Sequence, residues 1–129
     1  MRKLPLVLVL AALSACSVLK PYQAAETVEQ KYFAVLGTYN IVLEQARDVV
    51  LDERTDVRVR TKVRDAAVRT VTVVDALDAA YIDFVVEKAK FDVGQTTEER
   101  LDIVAANLEQ WVTRTEAALL DLIAAVKGE

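Results

Sequence analysis

Residues 96–126 read TTEERLDIVAANLEQWVTRTEAALLDLIAAV, and this stretch decides the fold. Leu101, Val104, Leu108, Trp111, Thr115, Ala118 and Leu122 stand three or four residues apart, with Ala105, Val112, Leu119 and Val126 beside them. That recurrence is the period of a helix with one buried face. The stripe is wider than the two positions per heptad of a coiled-coil seam, which suits a helix packed in a bundle. Thr96 followed by Glu99 has the form of a capping box, whose hydroxyl and carboxylate each take a free amide of the first turn. The spacing predicts a helix over 97–127.

Upstream, Phe91-Asp92-Val93-Gly94 closes the preceding segment, with Gly94 suited to a left-handed terminal residue. That segment repeats the period through Val63, Ala67, Thr70, Val74, Leu77, Tyr81 and Phe84, flanked by Ala66, Val73 and Ala80, and predicts a helix over 56–91. Further back, Ala25, Val28, Tyr32, Val35, Tyr39, Val42, Ala46 and Val49 predict another over 24–52, with Leu36, Leu43 and Val50 widening the stripe. Between them lies Asp52-Glu53-Arg54-Thr55-Asp56, polar, with Thr55 and Asp56 as possible N-caps and no Gly or Pro. One continuous helix through this point is the alternative. Val57, Val59, Thr61 and Val63 also alternate with basic residues, as in a strand, but no partner or turn signal accompanies them. The expected fold class is therefore all-α, an up-down-up three-helix bundle over 24–129, with short connections making neighbours antiparallel.

Composition agrees. The chain has 129 residues, 53% hydrophobic and 28% charged, with 3 glycines and 2 prolines, and both prolines fall within the first 21 residues. Disordered chains have the opposite balance, being too polar to bury a core. The formal charge is −4. A net-acidic chain does not suit nucleic acid, where affinity comes from neutralising phosphates.

The first sixteen residues have a different character. Arg2 and Lys3 precede an apolar run from Leu4 to Leu13, and the small residues Ser14 and Ala15 precede Cys16. Positive, apolar and small segments in that order describe an export signal over 1–15. A spanning helix needs about 20 apolar residues, whereas Pro5, Ser14 and Ser17 interrupt this run. Leu13-Ser14-Ala15-Cys16 resembles the lipobox of bacterial lipoproteins at all four positions. The resemblance implies that Leu13, Ser14 and Ala15 are read by the lipoprotein processing machinery. It also implies that cleavage precedes Cys16, whose sulfur carries diacylglycerol and whose amino group takes an N-acyl chain such as palmitate. Cys16 is the only cysteine, so no intrachain disulfide can form. Cleavage would remove Arg2 and Lys3 and no acidic residue, taking the formal charge from −4 to −6. Residues 16–23 become a short lipidated tether to the membrane. Ser17 is not the Asp that marks inner-membrane retention, so the resemblance implies an outer-membrane lipoprotein facing the periplasm.

Catalytic equipment is sparse. The chain has no histidine and only the lipid-site cysteine, which removes the usual zinc ligands and the usual base for a nucleophile. Asp75, Asp78 and Asp83 are the carboxylates considered for acid–base work, but a solvated acidic face explains them as well. No catalytic residue, metal site or cofactor beyond the lipid on Cys16 is expected. Tyr32, Tyr39, Tyr81 and Trp111 fall on the apolar series, as core or as the lining of an apolar-ligand cavity.

Charge is unevenly spread. Residues 54–69 hold Arg54, Arg58, Arg60, Lys62, Arg64 and Arg69 against Asp56 and Asp65. Residues 70–129 are strongly acidic. Basic residues early in a helix oppose its dipole, so their position gains nothing from the backbone. The cluster is a candidate patch for an anionic partner, an envelope protein or peptidoglycan carboxylates; the alternative is a solvated face paired with the acidic third helix. The expected function is a non-enzymatic envelope lipoprotein whose bundle docks onto another component. The mature part also resembles small helical lipoproteins encoded in prophages, through its size, its lipobox and Ala/Val-rich helices with Gly37-Thr38-Tyr39. That resemblance implies superinfection exclusion or host lysis, and the missing proline-rich character of outer-membrane spanin lipoproteins counts against lysis. A carrier of an apolar ligand in the bundle core is the other alternative.

Overall fold

The computed structural model describes residues 27–129. The expected signal segment, Leu13, Ser14, Ala15, Cys16, the tether and positions 24–26 of the first expected helix lie outside the described residues. Three helices follow in order: α1 (Val28–Leu51), α2 (Val57–Asp92) and α3 (Glu98–Val126). They form the up-down-up bundle, and α2 and α3 make the most extensive helix pair.

Each boundary has a local cause. Thr27 is extended (φ −96°, ψ 158°), and its hydroxyl accepts from the Gln30 amide while the Gln30 side chain accepts from the Thr27 amide, both at 3.1 Å. This capping box starts α1 at Val28. At the other end the Asp52 carboxylate accepts from the Arg54 amide at 3.0 Å, and the Thr55 amide bonds the Asp52 carbonyl. Asp56 then caps α2 through the Arg58 amide at 2.7 Å. Two aspartates thus break the helix without Gly or Pro, because their side chains offer the backbone amides a competing partner. The alternatives of a single continuous helix and of a strand at Val57–Val63 are both excluded.

α2 ends in a Schellman motif. Gly94 has φ +73°, its amide bonds the Phe91 carbonyl, and the Gln95 amide bonds the Lys90 carbonyl. The expected cap of α3 needs correction. Thr97, not Thr96, is the N-cap and accepts from the Arg100 amide at 3.3 Å. Three residues after Thr97 stands Arg100, which cannot return the reciprocal bond, so there is a cap but no box. The Thr96 hydroxyl instead donates to the Glu87 carboxylate on α2.

The core follows the apolar series. Leu77, Leu108, Leu119 and Leu122 are almost wholly buried along the bundle axis, with Val35, Val42, Val63 and Val112 between them. Burial of each such side chain contributes about 1.5–3 kcal/mol. Thr70 and Thr115 are also fully buried, and each hydroxyl donates to the carbonyl four residues back, Ala66 at 2.8 Å and Trp111 at 2.7 Å. No helix among the described residues is long and apolar enough to cross a membrane.

Candidate functional site

The basic segment begins in the α1–α2 turn and runs into α2, at the end of the bundle opposite Thr27. It is not one patch. At 3.6 residues per turn, Arg58, Lys62 and Arg69 share one flank of α2, and Arg60 and Arg64 share another. The buried stripe of Val63, Ala66 and Thr70 separates them. On the α3 side, the Lys62 ammonium donates to the main-chain oxygen of Glu129, and Arg69 lines a groove with Arg114 and Asp121. On the α1 side, Arg64 and Arg47 line a groove of about 320 Å³ whose floor is Leu43, Val50 and Ala67.

Compensation within the segment is thin. Arg54 pairs with Asp52 at 3.1 Å, and Arg64 reaches Asp65 only at 3.9 Å. The Arg54 side chain beside it holds the Asp52 carboxyl below the usual carboxylate range, chiefly through their hydrogen bond. Arg60 is half-buried, and its Nε is shut away from solvent without a hydrogen-bond partner. Arg58 and Arg69 make no ion pair among the described residues. The acidic groups of α3 do not neutralise the cluster side chain by side chain. Its closest tie to the end of α3 is the bond from Lys62 to a main-chain oxygen.

The opposite end is aromatic and acidic. Tyr32 and Tyr81 stack with centroids 3.9 Å apart and planes 8° from parallel, and Phe33 meets both rings edge-on. The Tyr32 hydroxyl donates to Asp78 at 2.8 Å. Burial, together with Asp78, pushes the Tyr32 phenol well above its ordinary range, and burial with Asp75 and Asp78 raises Tyr39. These rings fill space against one another. Of the three carboxylates considered for acid–base work, Asp78 is engaged by Tyr32, while Asp75 and Asp83 stand exposed. Trp111 is half-buried under the Arg114 guanidinium, 4.7 Å from its ring centroid. No cluster of three or more metal-ligating side chains occurs among the described residues.

Two features escaped the sequence. Glu87 is buried on α2, held by Thr96 and faced by Arg100 at 3.8 Å and Lys90 at 4.0 Å. Arg47 joins the Arg64 groove. The second was findable: in an antiparallel helix pair residues at equal distances from the turn share a level, so Arg47 lines the same groove as Arg64, as Leu43 does with Val68. Comparison of the chain with protein-family models, with curated proteins and with solved structures finds no match.

Proposed function

We propose that the chain is a non-enzymatic envelope lipoprotein. It is exported, cleaved before Cys16 and lipidated there, on the periplasmic face of the outer membrane, and its helical body docks an anionic envelope component. The observation that carries the reading is the order of residues at the N-terminus: Arg2-Lys3, the apolar run Leu4–Leu13, then Ser14-Ala15-Cys16. Two acyl chains suffice for stable anchoring, since each buried CH₂ contributes about 0.8 kcal/mol. α1 is 24 residues long, so its turn into α2 stands about 36 Å from Thr27. On this reading the basic segment stands away from the chain's own anchored end.

The docking surface is the flank of Arg58, Lys62 and Arg69, where cations with no ion pair among the described residues favour carboxylates of peptidoglycan or an acidic protein. The lipid arm is tested by intact mass and membrane fractionation of the wild-type chain and of Cys16→Ser. The wild type should carry diacyl and N-acyl mass on a chain beginning at residue 16, and Cys16→Ser should lose it. Equal masses for residues 16–129 apart from the substitution would sink the anchor. The docking arm is tested by co-purification with cell wall and envelope proteins after Arg58, Lys62 and Arg69 are changed to Gln. Unchanged capture would remove that surface.

A further inference from the structure

The side of α2 turned away from α3 carries a second seam, along the edge of the α1–α2 groove, that the other described helices leave largely open. Val57, Arg64, Val68, Val71, Asp75 and Ile82 follow one another at spacings of seven, four, three, four and seven, and with the polar Thr61 and Asp78 inside the two sevens they make the 3-4 rhythm of a helix that packs against another helix. Four of them are apolar and open to solvent: Val57 is 65% exposed, Val68 62%, Val71 39% and Ile82 60%. Arg64, with its side chain 63% exposed, has only the long contact to Asp65, and Asp75 is exposed. Single exposed hydrophobics are ordinary; here four of them, with Arg64 and Asp75, follow one line along about 39 Å of the helix.

The order of residues along the seam identifies its occupant. Reversing the helix about the point between Arg69 and Thr70 places Val68 on Val71, Arg64 on Asp75 and Val57 on Ile82. These three layers pair apolar with apolar or cation with anion in one register, and Thr61 meets Asp78 in the layer between Val57–Ile82 and Arg64–Asp75. A surface whose residue i meets j while j meets i is the signature of a two-fold interface. We propose that the chain self-associates as an antiparallel dimer through α2, with a second copy's α2 lying along the α1–α2 groove. With helices 8–10 Å apart, a face two helices wide and about 39 Å long covers roughly 800 Å², the area per partner of a stable interface. The groove flanked by Arg47 and Arg64, about 320 Å³, lies beside the central layers and receives the partner's valines. The interface uses helices alone and leaves the Arg58, Lys62 and Arg69 flank uncovered, while its antiparallel sense sets each copy's basic segment beside the Thr27 end of the other.

The experiment uses the full chain, expressed with its N-terminal segment and purified in detergent, with the wild type, bearing Cys16 alone, as control. Sedimentation should give twice the chain mass, and a monomer across the concentration range would overturn the proposal. Val57→Cys with Ile82→Cys should form a disulfide-linked dimer under mild oxidation. Positions 57 and 82 of one helix are about 37 Å apart and cannot bridge within a chain. Val57→Cys alone should give no more dimer than the control, and cross-linking by it alone would mean a parallel pair and refute the register. Arg64→Asp and Asp75→Arg, both at exposed positions, should each weaken association about tenfold or more, while the double reversal should restore it to within about threefold. If the double variant is as weak as the singles, Arg64 does not meet Asp75 and the register is wrong.

Discussion

The Tyr32 hydroxyl donates to the Asp78 carboxylate at 2.8 Å, joining α1 to α2 at the end of the bundle far from their connecting turn. The same tyrosine stacks on Tyr81, so one side chain supplies both an apolar and a polar contact to α2. α1 packs against α2 less extensively than α2 against α3, which gives this pair of contacts an outsized part in holding α1 in place. Tyr32→Phe keeps the stack and leaves a partly buried carboxylate unpaired, which should lower stability by about 1–3 kcal/mol. Asp78→Asn in the Tyr32→Phe background should recover part of the loss. Urea midpoints for the four combinations measure the coupling, and additive losses would show that the bond carries no energy of its own.

The phenol also sets an alkaline limit. Burial and Asp78 raise the Tyr32 pKa in the folded chain above its value in the unfolded one. The folded state therefore favours the protonated phenol. That contribution is fully present below about pH 10, the unfolded value, and is lost as pH rises from there through the folded value. The urea midpoint should hold steady from pH 7 to 9 and fall above about pH 10. Tyr32→Phe should start lower and fall less steeply. Tyr39, raised by burial and by Asp75 and Asp78, and Lys88, raised by its hydrogen bond to Glu29, supply the decline that remains. Identical alkaline slopes for wild type and Tyr32→Phe would show that Tyr32 is not the group responsible.

Glu87 is the buried acid of the bundle, and it fastens the turn between α2 and α3. Its carboxylate accepts from the Thr96 hydroxyl and faces Arg100 and Lys90. Glu87→Ala should cost about 1–3 kcal/mol, because the Thr96 hydroxyl loses its partner and a buried position loses its packing. Glu87→Gln keeps an acceptor for Thr96 and gives up only long contacts to exposed cations, a change of under about 1 kcal/mol. Equal losses for the two substitutions in a denaturant titration would mean that charge, not the hydrogen bond, holds the turn.

Two glycines should respond in opposite directions to the same substitution. Gly94 sits at φ +73°, where a Cβ is strained whatever the space around it, so Gly94→Ala should destabilise by about 1–2 kcal/mol. Gly37 lies inside α1 with nothing within 4 Å of an added Cβ. Gly37→Ala should stabilise by roughly 0.5–1 kcal/mol, through the smaller entropy of the unfolded chain. Thermal midpoints of the two variants moving in the same direction would contradict this account.

The helices were legible because their apolar residues keep strict period, and period survives without knowledge of partners. Leu108, Val112, Leu119 and Leu122 fall where the spacing places them. Caps were less legible, since they depend on which hydroxyl the turn aims at the first amides. Thr96 and Thr97 are adjacent and chemically alike, and in the fold Thr96 turns to Glu87 while Thr97 caps the helix. The break at Asp52–Asp56 was open to a continuous helix because its cause is aspartate side chains, which also occur within helices. The basic segment reads as one cluster in the sequence and becomes two flanks on α2. Charge along a chain says nothing of azimuth until the helix and its buried stripe are known. Tyr32 and Asp78 lie 46 residues apart, beyond any local pattern, and meet only because the α1–α2 turn folds the pair back.

The buried threonines give the last test. Thr115 is wholly buried, and its hydroxyl donates to the Trp111 carbonyl, which also lies in position to accept the Thr115 amide as part of the helix. Removing the hydroxyl therefore orphans no acceptor, and the extra methyl of valine occupies its volume. Thr115→Val should fall within about 0.5 kcal/mol of wild type or stabilise slightly, since replacing a satisfied polar pair by apolar groups of the same shape is nearly neutral. Thr115→Ala should lose about 1–2 kcal/mol, because it leaves a void that neighbouring side chains fill only in part. Thr70 is the informative contrast: its hydroxyl bonds Ala66 and also lies 3.5 Å from the Ala118 carbonyl on α3. That distance is long for a hydrogen bond, so Thr70→Val should match Thr115→Val. A loss at position 70 exceeding that at 115 by more than about 1 kcal/mol would show that the hydroxyl bridges α2 to α3. The tight helix pair would then owe part of its closeness to a polar contact rather than to packing alone.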